Sequence, residues 1–305
     1  MRICSLLPGA TEVVAALGLA HHLVGVSHEC DYPPEVRNKP VMVRPIIDSE
    51  RASSRRIDEQ VKAAVHNGRS LYGLDETLFE HARPDLVITQ DLCHVCAVTP
   101  DQLQRVLHTL PTAPNVLTLN PTCLDHVLSD VERIGAAVGR TADAQRLVSS
   151  LRSRLAAIRA QVALASTRPT VACLEWLDPL YAAGHWVPEM VQWAGGSDAL
   201  GMAGAPSEPV TWERLAASEP DVIILMPCGF SAERAAGEAE TLMSNQDWSR
   251  LQALRNGRMY AVDAVSYFSR PGPRLIEGVA QLAALCHPSL FGHVVPPGVR
   301  RVAEC

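Results

Sequence analysis

The sequence predicts an α/β fold with two Rossmann-like lobes, each built on a parallel sheet, joined by one long connector helix with a ligand cleft between the lobes. The chain of 305 residues exceeds the length at which one hydrophobic core usually keeps growing, which favours two lobes. Short apolar runs alternate with helical patterns in both halves, as in parallel sheets covered by helices. A long helical pattern separates the halves. We therefore expect an N-terminal lobe over residues 1–139, a connector over 140–166 and a C-terminal lobe over 167–305.

The elements of the N-terminal lobe are predicted from apolar runs that end in turn residues and from apolar residues at helical spacing. In the first helix, Thr11 is a candidate N-cap and Gly18 a candidate end. Pro100 lies in the first turn of a later helix, a position that proline favours. The predicted strands cover 2–7, 22–27, 85–89 and 115–120, and the predicted helices cover 8–18, 57–68, 75–82, 99–110 and the segment from about 121 to 138.

The C-terminal lobe repeats this alternation, with strands predicted over 170–176, 221–227 and 258–263. In the connector, Thr141 is a candidate cap. One helical face is defined by apolar residues at three- and four-residue spacing: Leu147, Leu151, Leu155, Ile158 and Val162. About 24 helical residues would span roughly 36 Å. Because ligands of open parallel sheets bind beyond the carboxyl ends of the strands, two lobes joined in this way would face each other across a cleft.

Charge and hydropathy exclude several classes of partner. The net charge is −6, from 27 basic and 33 acidic residues with no long basic run, so we expect no nucleic-acid partner. No window approaches ~18–20 uninterrupted apolar residues, so we expect no membrane span. The N-terminus lacks the apolar core of a signal peptide, which predicts a cytoplasmic protein, or a periplasmic one if the recorded start is not the true one. In such a chain, nine cysteines favour free thiols or metal ligands over disulfides.

Several segments resemble those of a known family. They are SLLPGATEVVAALGLAHHLVGVSHECDYPP near the N-terminus, ARPDLVI, VTWERLAASEPDVIIL, and AVSYFSRPGPRLIEGVAQLAAL near the end. In order and spacing they resemble the helical-backbone (class III) substrate-binding proteins of ABC importers for cobalamin, haem and iron-siderophores. The resemblance covers essentially the whole chain and is closest to the cobalamin-binding members. It implies two rigid lobes that bind a ligand in the cleft and move little relative to each other.

The resemblance also implies a partner, because members of the family dock on an ABC permease through an exposed glutamate on each lobe. Glu213 occupies the position of the second-lobe glutamate. The first-lobe position holds Thr77, with Glu76 adjacent and Glu80 one turn further on. The sequence therefore matches only one of the two docking positions, and it predicts a small-molecule ligand without predicting a permease.

The loops at the strand ends provide the candidate ligand-binding residues. From the first lobe they are His28, Glu29, Cys30, Tyr32, Tyr72, Asp91, Cys93, His94 and Cys96. From the second lobe they are Glu175, Trp176, Tyr181, His185, Trp186, Cys228, Phe230, Tyr267, Phe268 and Arg270. Eight of the fourteen aromatic residues lie in these loops, which suits a large, flat, partly apolar ligand such as a corrin or porphyrin. Arg270 could pair with a carboxylate or phosphate of the ligand, or with backbone carbonyls.

The segment Cys93-His94-Val95-Cys96 allows four interpretations. A structural zinc site needs four ligands, and a second pair of suitable spacing is missing from the sequence. A redox pair opens a helix directly after a strand, and this segment lies between the strand predicted over 85–89 and the helix predicted over 99–110. Buried inert thiols are a third possibility, and cleft thiols that touch the ligand or a metal ion are the fourth. In the last case the metal ligands would be Cys93, Cys96, Cys30 and His28, a donor set suited to a transition metal.

Two functions of different classes follow. The leading hypothesis is a binding protein that holds cobalamin or a related corrinoid or tetrapyrrole between its lobes and does no chemistry of its own. The alternative is a metal-binding protein or metal-dependent enzyme that uses the Cys/His/Glu-rich cleft, because a fold does not fix a function. The sequence contains no H-E-x-x-H, phosphate loop, Ser-His-Asp order or paired-carboxylate signature to support catalysis.

Overall fold

The N-terminal half of the chain forms a six-stranded sheet with the order β4-β3-β2-β1-β5-β6. The computed structural model describes residues 1–90, 100–243 and 247–302. The strands are β1 (Ile3–Ser5), β2 (Leu23–Ser27), β3 (Val41–Pro45), β4 (Tyr72–Leu74), β5 (Leu86–Gln90) and β6 (Asn115–Leu119). The helices are α1 (Pro8–Ala16), α2 (Ser54–His66), α3 (Glu76–Ala82), α4 (Pro100–Thr109) and α5 (Leu124–Ala137). β1 lies at the centre, where it pairs in parallel with both β2 and β5.

A 22-residue helix, α6 (Thr141–Val162), leads from this sheet to the second one. Its buried face includes Val148, Leu151 and Leu155, the spacing that the sequence predicts. The helix begins at Thr141, but its N-cap is Arg140 and no side chain bonds to the cap, so the prediction that Thr141 caps it is wrong. The boundaries of the lobes at residues 139 and 167 stay predictions.

The second sheet has the order β10-β8-β7-β11-β12-β13, with β9 paired to β7. Its strands are β7 (Thr170–Leu177), β8 (Leu180–Ala182), β9 (Ser197–Asp198), β10 (Glu208–Pro209), β11 (Val222–Leu225), β12 (Met259–Val262) and β13 (Val299–Arg301). The helices are α7 (Val187–Trp193), α8 (Trp212–Ala217), α9 (Ala232–Leu242), α10 (Gln252–Arg255), α11 (Ala264–Tyr267) and α12 (Leu275–Cys286). The central strands β7, β11 and β12 are parallel and buried along most of their length.

The two-lobed α/β fold is confirmed, and the prediction of purely parallel sheets needs a correction. Parallel pairing holds at the centre of each sheet, where helices cover both faces. Towards the edges, β4 pairs antiparallel with β3, β8 with both β7 and β10, and β13 with β12. Mixed sheets of this kind are common when an antiparallel strand is added to the edge of a parallel sheet.

The first helix also differs from its prediction. It begins at Pro8, in agreement with the preference of proline for the first turn, and Leu7 is its N-cap. Thr11 lies inside the helix and is buried, so it does not cap it. Its hydroxyl instead donates to Ser5 Oγ over 2.8 Å and connects the helix to the end of β1.

A cluster of ion pairs joins the lobes a second time, at the N-termini of α1 and α12. It consists of Glu12 and Asp31 from the first lobe and Arg270 and Arg274 from the second. Next to it, the backbones of Gly9 and Gly272 pack against each other, since a Cβ atom at Gly272 would lie 2.9 Å from Gly9 Cα.

A third contact is made by residues 47–61, the bridging segment, which leaves β3 and continues into α2. Its Ile57 is buried in the hydrophobic core of the second lobe rather than the first. Ser54 donates to Glu238 through its backbone N–H over 2.6 Å and through its hydroxyl, and Arg55 Nε donates to Asp178 over 2.8 Å. The two lobes are thus joined by the connector helix, the ion-pair cluster and the bridging segment.

Candidate functional site

A cavity of about 330 Å³ lies between the lobes and is lined by residues of both. In the first lobe its wall is built from the carboxyl ends of β1, β2 and β5 and from the facing sides of β3 and β4. In the second lobe it is built from β7, the β8–α7 turn and the segments that follow β11 and β12. This is the position at which open α/β sheets bind ligands.

Three of the predicted first-lobe residues line this cavity: His28, Glu29 and Tyr72. The rings of His28 and Tyr72 lie 5.8 Å apart, and His28 Nε2 lies 4.0 Å from Glu29 Oε1. His28 Nδ1 is buried and has no hydrogen-bond partner in the described part of the chain. Burial lowers the pKa of His28 because it disfavours the charged form, although Glu29 opposes the change. This wall therefore presents a neutral imidazole, a carboxylate and a phenol ring.

Six of the predicted second-lobe residues line the cavity: Glu175, His185, Trp186, Cys228, Phe268 and Arg270. Trp186 is buried, and its indole N–H donates to Phe268 O over 2.8 Å, which fixes the two aromatic groups relative to each other. Glu175 Oε2 accepts from Ser207 Oγ over 2.8 Å. Burial lowers the pKa of His185 as well, so its imidazole is neutral near pH 7.

Arg270 lies at the edge of the cavity but its charge is already compensated. Its side chain is only 6% exposed, Nη1 donates to Asp31 Oδ1, and Glu12 Oε1 lies 3.9 Å away. Nε is buried without a partner in the described residues. The guanidinium therefore links the lobes through carboxylates of this chain. Neither sequence-based alternative, a ligand anion or a backbone carbonyl, describes this pairing.

Cys30 is turned away from the cavity, contrary to its assignment as a ligand or metal-binding residue. Its side chain is buried, and Sγ lies 3.1 Å from Thr11 Oγ1 and 3.3 Å from Ser27 Oγ. Burial raises the pKa of the Cys30 thiol despite these hydrogen bonds, which keeps it protonated at neutral pH. Cys30 therefore belongs to the core behind the wall.

Five of the predicted aromatic residues also lie away from the cavity lining. They are Tyr32, Trp176, Tyr181, Phe230 and Tyr267. Trp176 packs on Phe230 with ring centroids 5.6 Å apart and donates its indole N–H to Ser54 O over 3.2 Å, so it holds the bridging segment. Tyr32 is 46% exposed and lies under the Arg274 guanidinium at 4.2 Å. Trp176 and Tyr32 thus contribute to contacts between the lobes.

The remaining candidates, Asp91, Cys93, His94 and Cys96, lie outside the described residues. Within residues 1–90, 100–243 and 247–302, no group of three His, Cys, Asp or Glu side chains is arranged to hold a metal ion. Cys30 and His28, the two proposed metal ligands that are described, do not face a common point, because only His28 lines the cavity. The metal-dependent enzyme is therefore not supported.

Sequence reasoning missed 16 of the 25 lining residues, and most of these are apolar residues or glycines. The missed lining residues are Leu6, Leu7, Pro8, Gly9, Ser27, Val43, Gln90, Gly184, Val187, Pro206, Ser207, Met226, Gly229, Val265, Ser269 and Pro271. Ten of them lie at the carboxyl end of a strand or within four residues after it, so the rule that ligands bind beyond the carboxyl ends of strands could have found these ten. Ser207 gave no such signal, because it comes before a two-residue edge strand.

Comparison with known proteins agrees with this architecture. A family model described as "Periplasmic binding protein" matches residues 3–265. The chain belongs to this family. A vitamin B12-binding protein of Vibrio cholerae is 25% identical over 284 residues, which cover 92% of this chain and 87% of that protein. An uncharacterized ABC transporter substrate-binding lipoprotein of Bacillus subtilis, YvrC, is 25% identical over 296 residues, covering 95% of this chain and 81% of the relative.

Solved structures show the same fold at lower identity. The periplasmic heme-binding protein RhuT from Roseiflexus superposes with a TM-score of 0.71 at 23% identity, covering 95% of this chain and 98% of RhuT. The vitamin B12-binding protein BtuF of Vibrio cholerae superposes with a TM-score of 0.64 at 21% identity, covering 94% and 97%. These matches show that the chain has the fold of those proteins.

The family assignment bears on two further predictions. The relatives are named as a lipoprotein and as periplasmic proteins, so the cytoplasmic location expected from the sequence is not supported. No helix among the described residues is long and apolar enough to cross a membrane. Glu213 is exposed in the first turn of α8, and Thr77, Glu76 and Glu80 are exposed on α3.

Proposed function

We propose that this protein binds a corrinoid of the cobalamin class in the cavity between its lobes. The observation that carries the proposal is the charge of the wall. The described lining contains two carboxylates, Glu29 and Glu175, and its one arginine, Arg270, is already paired with Asp31. Because the relatives include both vitamin B12-binding and heme-binding proteins, this charge is the feature that separates the two ligands.

Corrinoids and haem differ in the groups at the edge of the ring. The side chains of the cobalamin corrin end in amides, which are uncharged and can donate hydrogen bonds to carboxylates. Haem carries two propionates that are ionised at neutral pH. Like charges repel more strongly in a partly buried cavity than in water, because the effective dielectric constant is lower. The propionates would meet Glu29 and Glu175 without an uncompensated cation among the described lining residues, so the wall favours the amide-bearing corrin.

The apolar part of the wall suits the faces of such a ring. Trp186 and Phe268 form part of this wall with 7% and 3% of their surfaces exposed, the indole N–H bonds to Phe268 O, and Met226 adds a flexible apolar contact. Ligand pockets of about 300–1,000 Å³ are usual for small molecules. The cavity of about 330 Å³ is at the lower end, and a complete cobalamin is larger, so we expect the lobes to separate when the ligand enters, by more than the small motion that the family resemblance implies.

The test is a titration of the purified protein with aquocobalamin, dicyanocobinamide and haem, followed by visible absorption. We expect corrinoids to bind more tightly than haem. Glu29→Lys places a cation on the wall and should raise haem affinity about tenfold, equivalent to about 1.4 kcal/mol, without raising corrinoid affinity. Glu35→Lys, at an exposed position of the first lobe outside the cavity lining, is the matched control and should change neither. Tight haem binding without corrinoid binding would reject the proposal.

We further propose that the protein carries its ligand outside the cytoplasm, in place of the cytoplasmic location that the sequence favours. The names of the relatives support this location, and their family ordinarily delivers ligands to an ABC permease. Glu213 is exposed where such a partner would contact the second lobe. Fractionation of cells that express the chromosomal gene with a C-terminal tag tests the location, and recovery in the cytosolic fraction alone would contradict it.

A further inference from the structure

Two imidazoles line the cavity, and each belongs to a different lobe. His28 follows β2 in the first lobe, and His185 follows β8 in the second. Burial lowers the pKa of both rings, so each has a lone pair on one nitrogen at neutral pH. The contacts of the two rings differ, and this difference assigns them different roles.

His28 already has interactions within its own lobe. Its Nε2 lies 4.0 Å from Glu29 Oε1 and its ring lies against Tyr72, and its Nδ1, which has no partner among the described residues, is buried where a ligand in the cavity does not reach it. The ring nitrogens of His185, by contrast, make no hydrogen bond or ion pair within the described parts of the chain. Its ring lies 5.7 Å from that of Trp186, which is fixed by its own hydrogen bond to Phe268. A half-buried polar ring without a protein partner at a cavity wall points to a partner in the ligand.

The backbone of His185 is held in an uncommon conformation. Its φ is +52°, in the left-handed region that few residues other than glycine adopt. Two hydrogen bonds to a neighbouring loop maintain it: His185 N donates to Ala205 O over 2.6 Å, and Gly204 N donates to His185 O over 2.9 Å. Residues in such conformations cluster at ligand sites, where the surrounding structure determines the direction of the side chain. The loop therefore fixes the position from which the imidazole reaches the cavity.

We propose that His185 is an axial ligand of the metal at the centre of the bound tetrapyrrole, which is cobalt when the ligand is a corrinoid. The inference rests on the proposed function. An imidazole nitrogen donates its lone pair to Co(III) as a bound water molecule leaves. The ring is neutral before the exchange, so no proton is released, and no electron is transferred. Imidazole is a common ligand of both cobalt and iron, so the same chemistry applies to haem.

Cobinamide tests this assignment directly, because it lacks the nucleotide base of cobalamin and any nitrogen ligand must come from the protein. We expect the visible bands of diaquocobinamide to shift on binding as imidazole replaces water. After reduction to Co(II), we expect each cobalt line in the electron paramagnetic resonance spectrum to split into three from one ¹⁴N nucleus. Protein labelled with ¹⁵N-histidine should give two lines instead, a result that needs no substitution. The same spectra with haem show whether the imidazole also binds iron.

His185→Asn identifies the residue, because asparagine tolerates the left-handed conformation and lacks the imidazole. We expect this variant to lose the nitrogen splitting and to bind diaquocobinamide about tenfold or more weakly, and added imidazole should restore the splitting. His28→Ala is the matched control and should keep it. Tight binding by the wild type without nitrogen splitting would overturn the inference and leave the proposed function intact, whereas no corrinoid binding would reject the proposed function itself. The assignment of His185 would also be overturned if the nitrogen splitting disappeared in His28→Ala and persisted in His185→Asn.

Discussion

Arg274 donates two hydrogen bonds to Glu12, from Nε to Oε2 over 3.0 Å and from Nη2 to Oε1 over 2.6 Å. The two residues are 262 positions apart, one in the first helix and the other at the start of the last long helix. Glu12 is only 4% exposed, so water does not screen this forked pair as it screens a surface ion pair. The contact joins the two lobes beside the cavity.

This contact predicts a large effect for Arg274→Met, which keeps the apolar stem and removes the charge. Breaking this buried pair leaves Glu12 with only the more distant Arg270, whose Nη1 is 3.9 Å away and already bonded to Asp31, so we expect the free energy of unfolding to fall by about 3 kcal/mol. Replacing both partners, as in Glu12→Leu with Arg274→Met, should recover most of this loss. Urea unfolding followed by tryptophan fluorescence measures both values.

The control is Arg300→Met, which removes a pair of similar length between exposed side chains, Arg300 Nε and Nη2 to Glu233 Oε1 at 3.0 and 2.6 Å. We expect a change below about 1 kcal/mol, because solvent screens the pair. If the two variants lost equal amounts of the free energy of unfolding, burial would not make the Glu12 pair more important than an exposed pair.

Gly9→Ala tests how closely the lobes pack beside the ion-pair cluster. A Cβ atom at Gly9 would overlap the carbonyl oxygen of Pro271, which is backbone of the other lobe and cannot rotate away. We expect a loss of about 1–3 kcal/mol in the free energy of unfolding, the usual cost of overpacking. Gly237→Ala is the matched control, because Gly237 lies inside α9 with nothing within 4 Å of an added Cβ. It should stabilise the protein by up to about 1 kcal/mol through helix propensity.

Ile57→Ala tests whether the bridging segment belongs energetically to the second lobe. Ile57 is 6% exposed and is buried among residues of that lobe, although its helix α2 follows a strand of the first. Truncating a buried isoleucine to alanine costs about 2–5 kcal/mol, and we expect a value in this range from urea unfolding.

Val65→Ala is the control on the same helix, because Val65 is 59% exposed. It should change the free energy of unfolding by no more than about 0.5 kcal/mol. Since the lobes have to separate to admit a corrinoid, we also expect Ile57→Ala to bind dicyanocobinamide faster in stopped-flow absorption. An unchanged association rate would show that the bridging segment stays in place during entry.

The sequence predicted the central strands β1, β5, β7 and β11 and the connector helix α6 correctly because their signals are local, whereas the strand β3 and the helix α9 were missed. Apolar runs and the spacing of Leu151 and Leu155 arise from one element and its buried face. The short strands β8 and β10 have three and two residues, too few to show any period, and they were also missed. The bridging segment was missed for a different reason: Ser54 and Glu238 are 184 positions apart, and no local pattern encodes their contact.

The candidate site shows the same limit at the level of side-chain direction. Glu175 and Trp176 are neighbours near the end of β7, and both were predicted to face the cleft. Side chains of a strand alternate between its faces, so when Glu175 faces the cavity Trp176 packs on the other side, against Phe230. Cys30 was misplaced because its position in a loop does not show which way the thiol points. A loop at a strand end thus identifies the region of the site, and the packing behind it selects the residues.

The burial of the Asp198 carboxyl group predicts that the stability of the protein depends on pH. One substitution isolates this dependence. Its Oδ1 accepts from Leu200 N over 2.9 Å and from Gly201 N over 2.7 Å, whereas Oδ2 is buried without a partner among the described residues. Burial raises the pKa of Asp198 to about 6 against these two hydrogen bonds. The nearby Cys173 thiol adds no charge at neutral pH, because burial raises its own pKa well above the usual value.

A carboxyl whose pKa is higher in the folded protein than in the unfolded chain binds protons more tightly when folded. Its contribution to stability is complete below the unfolded pKa of about 4 and is lost as the pH rises through about 6. As the pH rises from about 5 to about 8, we therefore expect the destabilisation caused by Asp198 to increase by about 1.4 kcal/mol in the free energy of unfolding. Asp198→Asn should lack this component.

Urea unfolding of both proteins at several pH values gives the component as a difference. The buried histidines His28, His185 and His287 have lowered pKa values and favour the opposite trend, with stability increasing as the pH rises. They are common to both proteins, so their effect cancels when the variant curve is subtracted. A difference that does not change with pH would mean that Asp198 stays ionised in the folded state, and hence that its two backbone hydrogen bonds outweigh its burial.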